Sequence, residues 1–129
     1  MKIKILIVDD LAIFRENLYL CLTNLGFEDI EMAYDGLDAF QMICSEEEKG
    51  EPFDIVFSDI LMPNCTGVEL AQKIRDRGFK LFLFIVSTES SQETILDCIE
   101  AGAKDYLLKP YDETILRQKI ENLIGKLKD

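Results

Sequence analysis

The stretch that decides the fold is residues 3–10, IKILIVDD, an almost continuous run of Ile, Leu and Val that stops at two aspartates. A run this apolar is typical of a strand buried on both faces, as in a parallel sheet covered by helices. Apolar residues then recur at helical spacing between Leu11 and Leu25, and Gly26 follows as a helix terminator. The start of the chain therefore predicts a buried strand followed by a helix that packs against the sheet.

The strand-then-helix pattern recurs four more times along the chain. The further predicted strands cover residues 30–33, 54–58, 81–86 and 105–108. We expect the most apolar of them, 81–86, to be central, and the charged residues 45–51 to form a frayed end of the second helix and a solvated loop. Regular alternation predicts an α/β fold, a doubly wound parallel sheet of five strands with helices on both faces.

Polar residues mark where three of the predicted helices begin. Thr66 with Glu69, and Ser90 with Glu93, have the spacing of a capping box, in which the two side chains satisfy the first free backbone N–H groups. Asp112 is placed to cap the last helix. These signals predict the starts of the third, fourth and fifth helices.

Composition bounds the domain count and the class of protein. No linker or repeat divides the 129 residues, so we expect residues 1–129 to be one domain with no output domain. Aspartate and glutamate number 25 against 14 lysine and arginine, a net charge of −11 that disfavours direct nucleic-acid binding. The sequence has no histidine, which excludes His-dependent catalytic triads and His-ligated metals within this chain. Because no apolar run approaches the roughly 18 residues that cross a bilayer and no signal peptide is present, we expect a cytoplasmic protein that binds no membrane.

The four cysteines, Cys21, Cys44, Cys65 and Cys98, form no CxxC pair, which disfavours a structural zinc site. We expect all four to be reduced thiols. Three of them fall in predicted helices, near the core, whereas Cys65 falls in a loop where exposure is expected.

Polar side chains follow the predicted strands at their carboxyl ends, the edge of an α/β sheet where ligands bind. Asp9 and Asp10 follow the first strand, Asp59 the third, Ser87 the fourth and Lys109 the fifth. Each alone could be a turn residue, a helix cap or an exposed charge, but their occurrence at one edge favours a site. The three carboxylates carry −3, which Lys109 reduces to −2 and one divalent cation would cancel. Oxygen ligands without His or Cys suit Mg²⁺ or Mn²⁺.

Such a site suits the transfer of a phosphoryl group to a carboxylate. An aspartate can act as the covalent nucleophile, and its own charge is then replaced by about −2 on the phosphoryl group. The metal and Lys109 would offset that charge, while the Ser87 hydroxyl could donate a hydrogen bond to it.

At this point the residues resemble a known family, the response-regulator receiver domain of two-component signalling. The similarity covers essentially the whole chain and is carried by ILIVDD at 5–10, DILMP at 59–63 with Gly67, VS at 86–87 and GAKDYLLKP at 102–110. The resemblance implies a flavodoxin-like (βα)5 fold with strand order 2-1-3-4-5. It also implies a signalling switch that is not an enzyme, apart from promoting its own phosphorylation and dephosphorylation.

The resemblance implies roles for the acidic residues and for Leu61. Asp59 resembles the family's phosphoacceptor and one of its metal ligands. Asp10 is similar to a direct Mg²⁺ ligand, with Asp9 acting mostly through water. The backbone carbonyl of Leu61 is similar to a further ligand.

The resemblance also implies how phosphorylation is sensed. Ser87 is similar to the hydroxyl that moves toward the phosphoryl group, and Lys109 to the cation that pairs with it. Tyr106 is similar to the aromatic switch that turns inward when Ser87 moves, although an aromatic on an outer strand could simply pack against a helix. The Lys109–Pro110 bond resembles the family's cis peptide.

The implied partners follow from these roles. A histidine kinase or a histidine phosphotransfer protein would donate phosphate to Asp59, and a downstream protein would bind the face formed by the fourth helix, fifth strand and fifth helix. A transient homodimer of the phosphorylated chain is a further expectation. The expected surface includes Ile95, Glu100, Lys104, Tyr106 and Arg117.

Three residues near the expected site depart from the commonest family pattern and bear on reaction rates. Thr88 stands where the family usually has Ala or Gly, so its bulk would restrict access to the phosphoryl pocket. Leu61 offers no polar side chain to orient water, and Glu89 is placed to lie over the site.

Other functions remain open from the residues. A phosphatase of the haloacid-dehalogenase type also forms an aspartyl phosphate, but it needs a second Asp two residues after the first, and Asp9 is followed by Asp10 and Leu11. An inactive receiver serving as a scaffold is disfavoured by the intact acidic residues and Lys109. Nucleotide binding is disfavoured because neither GxGxxG nor GxxxxGK[ST] occurs. The chain could also be a fragment of a longer regulator.

Overall fold

Five strands alternate with five helices along the chain. The computed structural model describes residues 2–128, with side chains described up to Gly125, so Met1 and Asp129 of the predicted domain lie outside the described residues. The elements are β1 Lys4–Val8, α1 Ala12–Asn24, β2 Asp29–Ala33, α2 Gly36–Glu48, β3 Ile55–Ser58, α3 Gly67–Asp76, β4 Phe82–Ser87, α4 Gln92–Ala101, β5 Asp105–Leu108 and α5 Glu113–Lys128. The predicted alternation of strands and helices is confirmed.

All five strands are parallel and lie in the order β2-β1-β3-β4-β5. This order confirms the flavodoxin-like topology. The prediction that the fourth strand is central is wrong, because β3 lies in the middle of the sheet and β4 beside it. The strong hydrophobicity of β4 reflects an interior strand that is covered on both faces, and not the central position itself.

The two faces of the sheet carry separate hydrophobic cores. In β1, Leu6 and Val8 point to one core while Ile5 and Ile7 point to the other, because successive side chains of a strand alternate between faces. Helices α2, α3 and α4 cover the first face, and α1 and α5 cover the second. The continuous apolar run at the start of the chain is thus explained by burial on both sides.

Local signals at the helix ends were predicted with mixed success. The capping box at Thr66 and Glu69 is confirmed, and the Asp112 side chain accepts a hydrogen bond from the Thr114 backbone N–H at 2.7 Å. The predicted box beginning at Ser90 is wrong, since the N-cap is Ser91, whose hydroxyl accepts from the Thr94 backbone N–H. Because Ser90 and Ser91 can both act as N-caps, the sequence alone does not determine at which of them the helix begins.

The acidic end of α2 is better ordered than predicted. The helix continues through Glu48, and Glu46 forms ion pairs with Lys4 at 2.8 Å and with Lys49 at 3.0 Å. The prediction of a frayed, solvated segment from residue 45 is therefore wrong in its first half. The long-range pair with β1, which no local pattern reveals, holds this turn of helix against the sheet.

Within residues 2–128, no helix is both long enough and apolar enough to span a bilayer.

Candidate functional site

The carboxyl end of β1 places one aspartate inside the protein and the next one outside. Asp9 continues the line of the strand, donating its backbone N–H to the Ala33 carbonyl at 3.3 Å, and is only 4% exposed. Its Oδ1 accepts from the Leu11 backbone N–H at 3.0 Å. Asp10 is exposed. The pair therefore offers one fixed, buried carboxylate and one that is free to reach a ligand from solvent.

The end of β3 brings Asp59 to the same edge. The Asp59 backbone N–H bonds to the Val8 carbonyl at 3.1 Å, and its Oδ1 accepts from the Ile60 backbone N–H at 2.6 Å. The chain then turns back closely at Gly67, where an added Cβ would lie 2.4 Å from the Asp59 carbonyl oxygen. Only glycine allows this approach, and the tight turn fixes the backbone that carries Asp59.

Lys109 connects the two buried strand ends. Its Nζ lies 2.7 Å from Asp9 Oδ2 and 3.0 Å from Asp59 Oδ2, and its side chain is only 5% exposed. The Lys109 backbone N–H bonds to the Ser87 carbonyl at 2.9 Å, and the following peptide bond to Pro110 is cis, as the resemblance implied. An ammonium group shared by two carboxylates offsets part of their repulsion in a place that water hardly reaches.

The three aspartates form one acidic cluster. One carboxylate oxygen from each of Asp9, Asp10 and Asp59 lies within 4.8 Å of the other two. Oxygens this close, with a net −2 after Lys109 is counted, fit a hard divalent cation such as Mg²⁺ in both donor chemistry and charge. The structure thus brings together the acidic residues and the lysine that the sequence placed at one sheet edge.

Ser87 and Tyr106 lie beside this cluster on β4 and β5. Ser87 is buried, and its Oγ accepts from the Glu89 backbone N–H at 3.2 Å. The Tyr106 hydroxyl donates to the Glu89 carbonyl oxygen, and its half-buried ring packs against the core. Burial raises the pKa of Tyr106, so the phenol keeps its proton and remains a donor at neutral pH. The loop at Glu89 therefore connects the predicted hydroxyl and the predicted aromatic switch.

The loop that follows Asp59 is held by contacts with the start of α2. Asn64 donates its side-chain amide to Asp35 Oδ2 at 2.9 Å, and the pKa of Asp35 is lowered by the Asp38 backbone N–H and by this amide. Cys65 is 2% exposed, so the expectation of an exposed Cys65 is wrong. The reason is its contact with Gly36, where a Cβ would meet the Cys65 carbonyl oxygen at 2.3 Å.

Leu61 follows Asp59 by two residues, and Thr88 comes directly after Ser87. The side chain of Leu61 is 64% exposed, and Thr88 is exposed as well. Neither side chain takes part in the hydrogen bonds that join the described acidic residues to Lys109. Any contribution of Leu61 to a metal would have to come from its backbone, as the resemblance implied.

Two residues of α1 next to the cluster were missed by the sequence analysis. The Lys109 ammonium lies 3.8 Å from the centre of the Phe14 ring. The Arg15 guanidinium donates to the Asp9 carbonyl oxygen at 2.7 Å and stacks 4.6 Å from the ring centre of Tyr34. Phe14 has the helical spacing of a core residue. No local pattern shows that Lys109, which follows β5, lies against the face of its ring.

Comparison with known proteins gives one consistent result. The family model described as response regulator receiver domain matches residues 5–121. The chemotaxis protein CheY-3 of Vibrio cholerae serotype O1 is 35% identical over 128 residues, which cover 98% of this chain and 95% of that protein. A two-component response regulator from Clostridium difficile superposes with a TM-score of 0.88 at 26% identity, over 99% of this chain and 100% of the other.

A further solved relative is named as a complex with BeF3 and Mg²⁺. A chain of the CheX-CheY-BeF3-Mg²⁺ complex from Borrelia burgdorferi superposes with a TM-score of 0.86 at 27% identity, covering 95% of this chain and 89% of that one. The chain belongs to the response-regulator receiver domain family and is of the CheY type.

Proposed function

We propose that this receiver domain accepts a phosphoryl group on Asp59, with Mg²⁺ bound beside it, and thereby switches a protein-binding surface. The observation that carries the proposal is the position of the Lys109 ammonium, 2.7 Å from Asp9 and 3.0 Å from Asp59 within an acidic cluster. A lysine buried between carboxylates supplies charge compensation where a further anion would arrive.

In the transfer step, an Asp59 carboxylate oxygen forms a bond to phosphorus as the bond from phosphorus to the donor breaks. The leaving group of the donor departs with the electron pair of that bond. Lys109 is in place to pair with a phosphoryl oxygen, because its contact with Asp59 Oδ2 is where the new group would be attached. Hydrolysis of the aspartyl phosphate by water returns the carboxylate and releases inorganic phosphate.

The acidic cluster provides the ligands that a divalent cation needs. Asp10 and Asp59 would hold Mg²⁺ directly, with the Leu61 carbonyl as a further ligand and Asp9 acting mostly through water. Mn²⁺ fits the same oxygen ligands. When bound, the cation supplies two positive charges that offset carboxylate repulsion and the charge of the transferring group.

The switch that reports phosphorylation would involve Ser87 and Tyr106. A phosphoryl group on Asp59 attracts the Ser87 hydroxyl as a donor, and a shift of Ser87 disturbs its hydrogen bond with the Glu89 backbone. Because Tyr106 donates to the carbonyl of the same Glu89, the two movements are coupled. The phosphoryl group is the ligand that favours one of two arrangements of this loop.

The phosphorylated chain would present the face formed by α4, β5 and α5 to its target. This face has exposed apolar side chains of a kind that bind a partner: Leu96, Ile99, Leu108 and Ile115. The phosphate would come from a histidine kinase or a histidine phosphotransfer protein, which implies a cytoplasmic location. On this proposal, the chain turns over no separate substrate and reacts only with its own phosphoryl group.

The experiment that tests the function uses a small phosphodonor. The chain is incubated with Mg²⁺ and acetyl phosphate, and its intact mass is measured with time. We expect one added phosphoryl group that is lost at alkaline pH, because an acyl phosphate is base-labile. A stable adduct on Ser87, or steady turnover of a phosphatase substrate without an adduct, would reject the proposal.

The metal part of the proposal predicts a change in stability. Mg²⁺ should raise the melting temperature by mass action, with a gain in unfolding free energy of about 2.7 kcal/mol when the metal is at 100 times its dissociation constant. Differential scanning fluorimetry with a series of Mg²⁺ concentrations measures the gain. The variant Asp10→Asn should lose most of it, whereas Asp97→Asn on the exposed face of α4 should keep it. An equal gain in all three proteins would contradict the assigned metal site.

A further inference from the structure

The ammonium of Lys109 has a third partner besides its two carboxylates. Its Nζ lies 3.8 Å from the centre of the Phe14 ring, the shortest distance between a cation and an aromatic ring among the described residues. Asp9 and Asp59 can use two of its three N–H groups, which leaves the third without a carboxylate partner among these contacts. The negative face of an aromatic ring attracts a cation, and more strongly where water is excluded.

We propose that Phe14 is a positioning residue for phosphoryl transfer, whose ring holds the Lys109 ammonium in place while its carboxylate partners change. This inference rests on the proposed function. Before transfer, Lys109 pairs with two charged carboxylates. After transfer, the charge on Asp59 is replaced by that of the phosphoryl group, and a bound metal competes for the carboxylate oxygens.

Phe14 is suited to this task because it does not change during the reaction. It lies in the first turn of α1, where its backbone N–H bonds to the Leu11 carbonyl at 3.1 Å. The ring bears no charge and binds neither metal nor phosphate, so its attraction for the ammonium is the same before and after transfer. An ammonium that keeps one constant contact stays in its productive position for more of the time when its other partners are exchanged.

Burial alone does not explain why an aromatic residue occupies position 14. Leu18, one turn further along α1, is buried in the second core, whereas Phe14 is only half buried. Together with Leu18 and Phe57, Phe14 lines a cavity of about 10 Å³ that extends to Asp59 and Lys109. An aliphatic side chain at position 14 would fill much of the volume that the Phe14 ring occupies, but it would offer no negative face to Lys109.

The first test compares variants at Phe14 with a matched control. Phe14→Leu should lower the limiting rate of Asp59 phosphorylation by acetyl phosphate about three- to thirtyfold, and leave the half-saturating donor concentration nearly unchanged. Phe14→Tyr, which keeps the ring, should recover a rate within about twofold of the unmodified chain. The control is Phe53→Leu, since Phe53 packs under the Lys4 ammonium at 4.9 Å outside the site. It should lose stability without loss of rate.

A second test keeps the shape of the side chain. Replacing Phe14 with phenylalanine bearing one, two or three ring fluorines withdraws electron density from the ring face with little change in volume. The limiting rate should fall with each added fluorine. In the metal-free protein, the NMR signals of the Lys109 ammonium protons should also lie upfield of their position in Phe14→Leu, because a ring face shields the nuclei above it.

The outcomes separate this inference from the function on which it rests. If the unmodified chain forms no aspartyl phosphate, the proposed function is rejected and the inference with it. If the unmodified chain is phosphorylated and Phe14→Leu or the fluorinated series reacts at the same rate, only the inference is overturned. Equal slowing of Phe14→Leu and Phe14→Tyr, or of Phe53→Leu, would assign the effect to packing and would also overturn it.

Discussion

The variant Asp59→Asn is expected to gain no base-labile phosphoryl group from acetyl phosphate, under conditions in which the unmodified chain is fully converted. An amide lacks the carboxylate oxygen that attacks phosphorus, and it removes one of the two anionic partners of Lys109. The loss should be complete, because Asp9 is the only other described carboxylate that pairs with Lys109. Its Oδ1 already accepts a hydrogen bond from the Leu11 backbone N–H, which holds it in place. Intact mass and peptide mapping measure the result.

Two further variants make this result specific. Asp76→Asn changes an exposed carboxylate at the end of α3 and should be phosphorylated like the unmodified chain. Asp10→Asn keeps Asp59 and should still accept phosphate, but slowly and only at high Mg²⁺. If Asp59→Asn were phosphorylated on another residue at the normal rate, the assignment of the acceptor would be wrong.

The variant Lys109→Met is expected to slow phosphorylation of Asp59 about 10²- to 10³-fold, as the loss of one fixed donor to a developing charge does in other active sites. Methionine keeps most of the length and apolar volume of the lysine stem, so the change removes chiefly the ammonium. The phosphoryl group would then develop its charge without the cation that lies 3.0 Å from Asp59. The rate at saturating Mg²⁺ measures the effect.

Lys109→Met should also lower stability in the absence of metal. Asp9 and Asp59 would lose their shared partner, and removing one member of a buried ion pair typically costs about 3–5 kcal/mol. Urea denaturation should show this loss, and Mg²⁺ should restore a large part of it by supplying positive charge to the same carboxylates. Lys80→Met, an exposed lysine before β4, should change neither rate nor stability. A normal rate in Lys109→Met would remove this lysine from the proposed mechanism.

Sequence reasoning located the site well because a parallel sheet has a simple rule. Residues that directly follow parallel strands share one edge, so Asp9, Asp59 and Lys109 could be brought together without any knowledge of the contacts. The same rule could not tell which of Asp9 and Asp10 would be buried. The structure buries Asp9, whose backbone continues to pair with β2, and leaves Asp10 exposed.

Contacts between segments that are distant in the chain could not be predicted from the sequence. The burial of Cys65 depends on the missing side chain of Gly36, and the ordered end of α2 depends on the ion pair between Lys4 and Glu46. The position of Phe14 matters only because Lys109, which follows β5, lies against the face of its ring. Periodicity identifies which residues belong to a helix, but it does not identify what lies opposite each of them.

On this mechanism, Asp9, Asp10, Asp59 and Lys109 form one cleft that holds a divalent cation and a phosphoryl group. A crystal structure of the chain grown with Mn²⁺ and beryllofluoride, a stand-in for the phosphoryl group, tests it most directly. We expect an anomalous manganese peak coordinated by Asp10 and Asp59, and beryllofluoride on Asp59 in contact with Lys109 and Ser87. Manganese bound elsewhere, or beryllofluoride absent from Asp59 at full occupancy of the metal, would contradict it.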